Sequence, residues 1–380
     1  MARKAVEKNI SYDDERKIYY VNFDYGKDEH GKRIKKTETF KDIKEARKAL
    51  NSFKADKDKN NLVIPTSLTL KSWLEYWLND IKGIRCEETT LYGYRNIINS
   101  HVIPTIGDIK LQAVTPSVIN SYIRQMKDKG LSDNTIRKHY VLLKEALKHA
   151  VNEDKILKNP LDKVDQLKQT RTEREYYNVE QYQKLLEVVK DDIRAEIIVK
   201  LAGMLGLRRE EIVVLKWRNI DFDNKIIAIV EARAQAGSTV YEKETKNKSS
   251  YRSLHLPDSI IETLKRIKAA QEENKRLFGT SYKDGGYVIA WEDGAPYNPN
   301  YISNIVSKIV KDNSLDYITL HGLRHSFSSI SNDLGVSMFD ISKALGHSTV
   351  ETTSRIYTHM FDPTHKRAVD KISEVLSNKK

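Results

Sequence analysis

Alternation of apolar and polar residues marks the N-terminal part of the chain as β-structure. Residues 8–40 are rich in aromatic and β-branched side chains, most clearly at 17–25 and 33–40, with a turn signal at 28–31. Apolar residues at helical spacing then predict a helix over 43–54. Residues 1–57 are therefore expected to form a small β-sheet with one helix.

Helical spacing of apolar residues dominates the next segment, residues 67–162. Residues that can cap helices precede four apolar stripes: Thr69, Thr89, Thr115 and Ser132. Pro104 and Gly107 are expected to interrupt the second helix, and Gly130 to end the third. The pattern predicts an all-α bundle, followed by an exposed polar linker over 163–177.

The rest of the chain, residues 175–380, mixes the two periodicities. Helices are predicted near 179–189, 191–204 and 258–277 and over most of 299–370, with strands at 225–232, 238–244 and 251–256. The predicted fold class is multidomain α+β, in which a mostly α C-terminal domain with a small β-sheet follows the β module and the helical bundle.

Charge changes the picture, because the 380 residues include 65 Lys and Arg against 53 Asp and Glu, a net charge of +12. A basic surface concentrates polyanions, and nucleic acid is the natural partner. The single cysteine, Cys86, can form neither an internal disulfide nor a cysteine-based zinc site. With no long apolar run and no apolar stretch after Met1-Ala2-Arg3-Lys4, a cytoplasmic protein without a membrane span or secretory signal is expected.

Basic residues on the predicted strands and on the polar faces of the bundle are candidates for contact with DNA. The alternative is that they belong to ordinary solvated surfaces. The candidates are Arg33 and Lys35 on the strands, and Arg95, Arg137 and Lys138 on the bundle.

Two short motifs bring arginine together with groups that can support phosphate chemistry. In the first, Arg208 follows a glycine-ended helix, and Glu211 lies three residues later on the same helical face. In the second, His321 and Arg324 are three residues apart, so an imidazole and a guanidinium share a face. Such a pair can bind a phosphate and manage its proton, although each motif alone is weak.

Two further motifs complete an ordered set. Lys246 and Lys248 lie in a polar turn that enters a strand, at the expected tip of a hairpin. His347 follows a glycine before a predicted helix, and Tyr357 comes ten residues later. Any one of these residues is more often structural than catalytic, but their joint order is specific.

The ordered set strongly resembles the tyrosine recombinase family, which includes phage and transposon integrases. The resemblance covers residues 175–372, while 68–160 is similar to the family's core-binding domain, which has a SAM-like fold, and the β-rich N-terminus resembles its arm-DNA-binding domain by pattern only. The active-site residues that the resemblance implies are Arg208, Lys246, His321, Arg324, His347 and Tyr357, with Glu211 in the acidic supporting position. Lys246 is preferred to Lys248 as the family's lysine.

The residue types suit transfer of a phosphodiester without a metal or another cofactor. Two guanidinium forks can neutralise both non-bridging oxygens, Tyr357 can act as the nucleophile and Lys246 can protonate the leaving 5′-hydroxyl. A phosphotyrosine bond conserves the energy of the cut ester, which agrees with the absence of a phosphate-binding Gly-x-x-x-x-Gly-Lys-Ser/Thr loop from the sequence.

The resemblance also implies partners and an assembly. Four protomers would bind double-stranded DNA at core sites and at arm sites, and would exchange strands through a Holliday junction to integrate and excise a transposon, conjugative element or prophage. An excisionase and a host DNA-bending protein are expected partners. A helix over 362–376 is expected to dock onto a neighbouring protomer in this oligomer.

Three alternatives stay open at the level of the sequence. A type IB topoisomerase would use the same chemistry without a second DNA site, and a DNA-binding regulator would use none of it. A metal-dependent nuclease would instead use the histidines His321, His325, His347, His359 and His365.

Overall fold

A computed structural model describes residues 3–27, 31–58, 62–169, 175–244 and 251–346. The chain divides into two compact units, Met1–Arg171 and Thr172–Lys380. Among the described residues, two hydrophobic cores lie in the first unit and one in the second. The architecture is the mixed α+β class that the sequence predicts.

An antiparallel four-stranded sheet and one helix form the N-terminal part of the first unit. Its strands are β1 (Lys4–Glu7), β2 (Ile10–Asp13), β3 (Ile18–Lys27) and β4 (Arg33–Phe40), in that order across the sheet, and α1 spans Ile43–Asp58. Val21 and Phe23 of β3 pack against Ala46 and Leu50 of α1, which explains the alternation of apolar residues in the strand.

The helical bundle supplies the second core of this unit. Its helices are α2 (Leu70–Tyr76), which continues as a π-helical turn over Trp77–Lys82, α3 (Glu88–Ile97), α4 (Ile103–Ile106), α5 (Pro116–Asp128) and α6 (Asp133–Asn152). Three predicted caps are confirmed, because the side chains of Thr69, Thr115 and Ser132 accept hydrogen bonds from the backbone of the first turn. The core includes Trp73 and Trp77.

The second helix departs from the sequence prediction at both ends. It begins at Glu88, with Glu87 as the N-cap, so Thr89 lies inside it. Pro104 does not interrupt the chain's helical course, since a π-helical turn over Ile98–Val102 leads directly into α4. Pro104 lies in the first turn of α4.

The predicted linker over 163–177 is less exposed than its polar composition indicates. Val164 at one end is buried in the core of the bundle, and Tyr177 at the other end is buried in the core of the second unit. The ends of this segment therefore belong to the folded units on either side.

The described part of the second unit contains helices and two small sheets. Its helices are α7 (Val179–Val189), α8 (Ile193–Gly203), α9 (Arg209–Val214), α10 (Asp258–Phe278), α11 (Pro299–Asp312), α12 (Leu320–Asp333) and α13 (Met338–Leu345). Its strands are β5 (Ile220–Asp221), β6 (Ile226–Ile229), β7 (Glu231–Ala236), β8 (Thr239–Glu244) and β9 (Arg252–His255). The predicted C-terminal helix over 362–376 lies outside the described residues.

Two expectations about the strands are wrong. The predicted strand over 225–232 is divided between β6 and β7, which belong to different sheets. The strands on either side of Lys246 do not pair with each other as a hairpin, because β8 pairs with β7 and β9 pairs with β6. Apolar patterning identifies strands but cannot tell which of them pair across long loops.

None of the helices in the described ranges has the length and apolar character that a bilayer crossing requires.

Candidate active site

A sharp turn between α8 and α9 presents Arg208. Gly206 in this turn has a φ of +65°, and a Cβ there would lie 2.7 Å from Leu345 Cδ2 and 2.8 Å from Phe327 Cδ1. Only glycine satisfies both the left-handed backbone and the close approach of α12 and α13. The chain then enters α9, with Arg208 as its N-cap residue.

Glu211 in the first turn of α9 holds Arg208 at two points. Glu211 Oε2 accepts a hydrogen bond from the backbone N–H of Arg208 at 2.8 Å, and Oε1 accepts one from Nη1 of the same residue at 2.9 Å. The spacing of three residues predicted this contact. Only 3% of the Glu211 side chain is exposed, so the carboxylate needs compensating charge.

Three guanidinium groups supply that charge. Besides Arg208, Arg252 binds both carboxylate oxygens of Glu211, and Arg324 Nη1 lies 3.9 Å from Oε2. Burial by itself would raise the pKa of Glu211. The hydrogen bonds and charge of Arg252, and then the charges of Arg324 and Arg208, overcome burial and lower the pKa to about 2. The cluster therefore keeps an excess of positive charge around an ionised carboxylate.

The last turn of α13 accepts one hydrogen bond from each of the three arginines. Arg252 Nε donates to Ala344 O at 2.7 Å and Arg324 Nη2 to Leu345 O at 2.7 Å. Arg208 Nη2 donates to Gly346 O at 3.3 Å. Carbonyl groups at a helix C-terminus lack partners within the helix and carry partial negative charge, so they suit cationic donors.

The arginines differ in their exposure. Arg324 also donates from Nη1 to Gly206 O, and 3% of its side chain is exposed, against 6% for Arg252. Arg208 keeps 34% of its side chain exposed. Of the three, Arg208 is the one that can offer a guanidinium edge to a ligand without any rearrangement.

His321 lies in the first turn of α12, one turn before Arg324. The side chain of Thr319 caps this helix by accepting a hydrogen bond from the backbone N–H of Gly322 at 3.0 Å. The helix leaves His321 exposed, and its ring lies 4.6 Å from that of His325 in an edge-on arrangement. The predicted shared face therefore carries an exposed imidazole beside the buried guanidinium.

The first described residues of the second unit pack against α12, the helix that carries His321. The backbone N–H of Tyr177 donates to Ser326 Oγ at 2.8 Å, and a Cβ at Gly322 would lie 3.1 Å from Glu175 O. The glycine between His321 and Arg324 thus lets the incoming chain pass close to α12.

Three of the residues predicted from the motifs meet at one place: Arg208, Glu211 and Arg324. Lys246, Lys248, His347 and Tyr357 lie outside the described residues. The sequence reasoning missed Arg252, although it stands in the stretch that was singled out around Lys246. The signal that could have found Arg252 is Glu211 itself. A carboxylate expected beside Arg208 and Arg324, if buried, needs cations around it, which is a reason to search for another arginine.

The candidate DNA contacts lie within the first unit. Arg33 on β4 pairs with Asp24 at 2.8 Å, and Arg95 on α3 pairs with Glu88. Lys35 is exposed on β4, and Lys138 is exposed on α6 beside a half-buried Arg137. The two ion pairs use part of the charge that was expected to face DNA.

Two family models match the chain. Residues 175–363 match the phage integrase family, and residues 69–138 match the phage integrase N-terminal SAM-like domain. Together the two ranges span more than half of the chain.

A curated relative and two solved structures are similar over most of the chain. The XerC-like tyrosine recombinase of Caldanaerobacter subterraneus subsp. tengcongensis is 26% identical over 389 residues, which cover 97% of this chain and 99% of the relative. The Tn1549 transposon integrase in complex with a circular intermediate DNA has a TM-score of 0.68 at 20% identity, covering 80% of this chain and 100% of that one. A lambda integrase tetramer bound to a Holliday junction has a TM-score of 0.60 at 18% identity, covering 93% and 96%.

These matches favour neither a topoisomerase nor a DNA-binding regulator. The chain therefore belongs to the phage integrase family, the tyrosine recombinases, and it is a site-specific DNA recombinase.

Proposed function

We propose that this recombinase cuts and rejoins double-stranded DNA with Tyr357 as its nucleophile. The phenolic oxygen attacks the scissile phosphorus, the bond from phosphorus to O5′ breaks, and the leaving 5′-oxygen takes up a proton. The product is a 3′-phosphotyrosine, which a 5′-hydroxyl of the partner strand attacks in the reverse sense to rejoin the DNA. Bond energy is conserved at each step.

The convergence of Arg208 and Arg324 on Glu211 is the observation that carries this proposal. Three cations around one carboxylate leave net positive charge at the place where the C-terminal end of α13 leads to His347. A phosphodiester is a monoanion, and its transition state gains negative charge on the non-bridging oxygens. Arginine forks match those oxygens in both charge and geometry.

The remaining roles follow from the family pattern and from the chemistry of the side chains. Lys246 protonates the leaving 5′-oxygen, His321 takes or shares the proton of the tyrosine, and His347 donates a hydrogen bond to the phosphate. The exposed position of His321 on α12, one turn from Arg324, supports its share of this work.

We propose further that the substrate is a mobile genetic element, which the protein integrates and excises. Residues 1–57 would bind arm sites, residues 67–162 the core site, and residues 175–380 would carry out the chemistry. Four protomers would act through a Holliday junction, and a helix over 362–376 would dock between neighbours. The DNA in the Tn1549 integrase complex and the Holliday junction in the lambda integrase tetramer support DNA binding and the action of four protomers, and an excisionase and a host DNA-bending protein would set the direction.

A covalent protein–DNA adduct tests the central step. Cells that produce the protein are lysed under denaturing conditions, and the DNA that stays attached to it is sequenced to define the target. A nicked duplex of that sequence then traps the adduct, because the fragment released beyond the cut diffuses away. We expect adduct with the wild-type protein and none with Tyr357→Phe.

The matched control is Tyr317→Phe, which changes an exposed tyrosine of the same unit and is expected to keep full adduct formation. Adduct that persists in Tyr357→Phe would assign the nucleophile to another residue. A wild-type protein that cuts this DNA without any covalent intermediate would rule out the mechanism.

A further inference from the structure

Arg252 is a buried arginine at the start of β9 with a two-point contact to Glu211. Its Nη1 donates to Oε1 at 3.0 Å and its Nη2 to Oε2 at 2.9 Å. Two parallel hydrogen bonds fix both the position and the plane of the carboxylate, which one bond cannot do. Its side chain is 6% exposed, against 34% for Arg208, so Arg252 faces the protein and Arg208 faces outward.

The oxygens that Arg252 holds are the same ones that orient Arg208. Oε2 accepts from the backbone N–H of Arg208, and Oε1 accepts from its Nη1. A change in the plane of the carboxylate would therefore move both the main chain and the guanidinium of Arg208. Arg252 therefore influences the position of Arg208 through a single planar group, the carboxylate of Glu211.

Arg252 also contacts the end of α13. Its Nε donates to Ala344 O, and a Cβ at Gly346 would lie 2.9 Å from its Nη1. Gly346, with a φ of +64°, ends the helix and accepts a hydrogen bond from Arg208 Nη2. One side chain thus links β9, the turn of Arg208 through Glu211, and the C-terminal end of α13.

Charge gives Arg252 a second effect on Arg208. Glu211 is buried and ionised, so it must be neutralised by nearby cations. With Arg252 in place, one guanidinium is committed to the carboxylate and Arg208 needs only part of its donors for it. Without Arg252, the carboxylate would draw more of Arg208 away from any phosphate.

We propose that Arg252 is a positioning residue of the recombinase, which holds Glu211 and thereby orients the guanidinium of Arg208 toward the scissile phosphate. This inference rests on the proposed function and deepens it. Arg252 is not a catalytic residue, because its guanidinium is directed at Glu211 and α13 rather than at the substrate.

The test compares Arg252→Lys with the wild-type protein on two nicked duplexes. One carries the natural scissile phosphate, and the other carries a methylphosphonate, which is neutral and keeps a single non-bridging oxygen. On the natural phosphate, we expect Arg252→Lys to lower the rate of strand cleavage at saturating DNA roughly 10–100-fold, by analogy with groups that orient the ligands of metal sites. DNA affinity is expected to stay the same, because the side chain of Arg252 is only 6% exposed and is bound to Glu211 and Ala344.

On the methylphosphonate, we expect the cleavage rate of Arg252→Lys to lie closer to the wild-type rate on the same substrate. The reason is that cleavage of a neutral substrate depends less on the orientation of an arginine. Arg208→Lys is the reference and should follow the same trend. A merely structural role would lower cleavage of both substrates by the same factor, and that result would overturn the positioning role.

Arg266→Lys is the matched control. Arg266 Nη1 pairs with the buried Glu196 at 2.9 Å, away from the arginine cluster of the same unit, so this variant also loses an arginine–glutamate contact. It should cleave both substrates at the wild-type rate. If Arg252→Lys is unfolded by circular dichroism, the paired variant Arg252→Gln with Glu211→Gln replaces it, since that pair removes one positive and one negative charge together.

The outcomes separate the two proposals. Wild-type protein that forms no covalent adduct on either duplex overturns the proposed function and the positioning role with it. Wild-type adduct together with an unchanged rate in Arg252→Lys, or in the paired variant where that is used, overturns the positioning role alone.

Discussion

At the scale of single residues, the carboxylate of Glu211 organises the site. It is the common partner of Arg208, Arg252 and Arg324, and because the carboxylate is buried, solvent screens these attractions less than those of a surface ion pair. Arginine suits this role because its fork can serve two partners at once. Arg208 and Arg324 each bind both Glu211 and a carbonyl group of the last turn of α13.

The lowered pKa of Glu211 leads to a prediction about stability in acid. A carboxyl group with a depressed pKa in the folded state stabilises the fold above its unfolded pKa, and this contribution is lost as the pH falls toward the folded value of about 2. We expect the contribution to be on the order of 3 kcal/mol at neutral pH and to decline below about pH 4.5. Urea unfolding of wild type and Glu211→Gln as a function of pH measures it.

Glu210→Gln is the control for this series, because Glu210 forms an exposed ion pair with Arg209 one position earlier in the chain. It should unfold with the same acid dependence as the wild-type protein. If the stability difference between wild type and Glu211→Gln stayed constant from neutral pH to about pH 3, Glu211 would not have the depressed pKa described above.

Sequence reasoning at this scale succeeded where partners are close in the chain and failed where they are far apart. Glu211 lies three residues from Arg208, so helical spacing predicted their contact. Arg252 lies 41 residues from Glu211, and only the pairing of β9 with β6 brings it there.

At the scale of elements, the turn before α9 and the end of α13 are built for close approach. Gly206 allows Leu345 and Phe327 to touch the turn directly. Arg324 of α12 then spans from Gly206 O to Leu345 O. The turn before α9, α12 and α13 thus meet at Gly206. The positions of the three arginines depend on how closely these elements pack.

Gly206→Ala tests this packing. The alanine must adopt a left-handed backbone, at a cost of about 1 kcal/mol, and its Cβ must also displace Leu345 and Phe327. We expect a loss of roughly 1–3 kcal/mol in the free energy of unfolding, together with slower adduct formation. Thermal unfolding and the nicked-duplex assay measure the two effects.

Gly130→Ala separates the two costs, because Gly130 has a φ of +81° but no atom within 4 Å of a built Cβ. The Gly130→Ala variant has only the backbone strain, without a steric clash, and should form adduct at the wild-type rate. Equal losses of stability and rate in the two variants would mean that the contact with α12 and α13 has no role.

Local signals predicted the elements well, and their limits have local causes. Caps such as Ser132 act within one turn, so they are visible in the sequence. Pro104 was misjudged because a π-helical turn brings it to the first turn of α4, and such a turn has no clear sequence signal. The ends of the predicted linker over 163–177 are buried because they pack into the cores of the two units, and the polar composition of the segment does not reveal that packing.

At the scale of the whole molecule, the core of the N-terminal sheet is separate from that of the bundle, although both belong to one compact unit. The net charge of +12 applies to the full chain and favours binding to DNA at low salt. Separate cores allow one part to be removed while the others keep their own packing.

Deletion of residues 1–60 tests whether the N-terminal sheet binds accessory DNA sites while the rest of the chain carries out cleavage. It removes the sheet and α1 and leaves the cores of the bundle and of the second unit intact. We expect weaker binding to long DNA that carries accessory sites, with unchanged adduct formation on a nicked duplex limited to the core site. Electrophoretic mobility shifts and the adduct assay provide the two measurements.

The full chain with Arg33→Ala and Lys35→Ala is the control, because it keeps the buried residues of the sheet and loses, besides the two candidate contacts, only the ion pair of Arg33 with Asp24. Its binding should fall between that of the wild type and the deletion. Failure of the deletion variant to form adduct on the nicked core duplex would show that the N-terminal module takes part in the chemistry.

By itself, the sequence determined most of the elements, three of the caps, the basic character and the order of the motifs, since these depend on spacing within a few turns and on composition. Tertiary structure alone decided that Arg208 meets Gly346 across 138 residues, that Arg324 reaches Gly206 across 118, and that Arg252 completes the cluster. A buried carboxylate requires counter-charge from whatever elements pack around it, and packing between distant elements is not encoded in any local pattern.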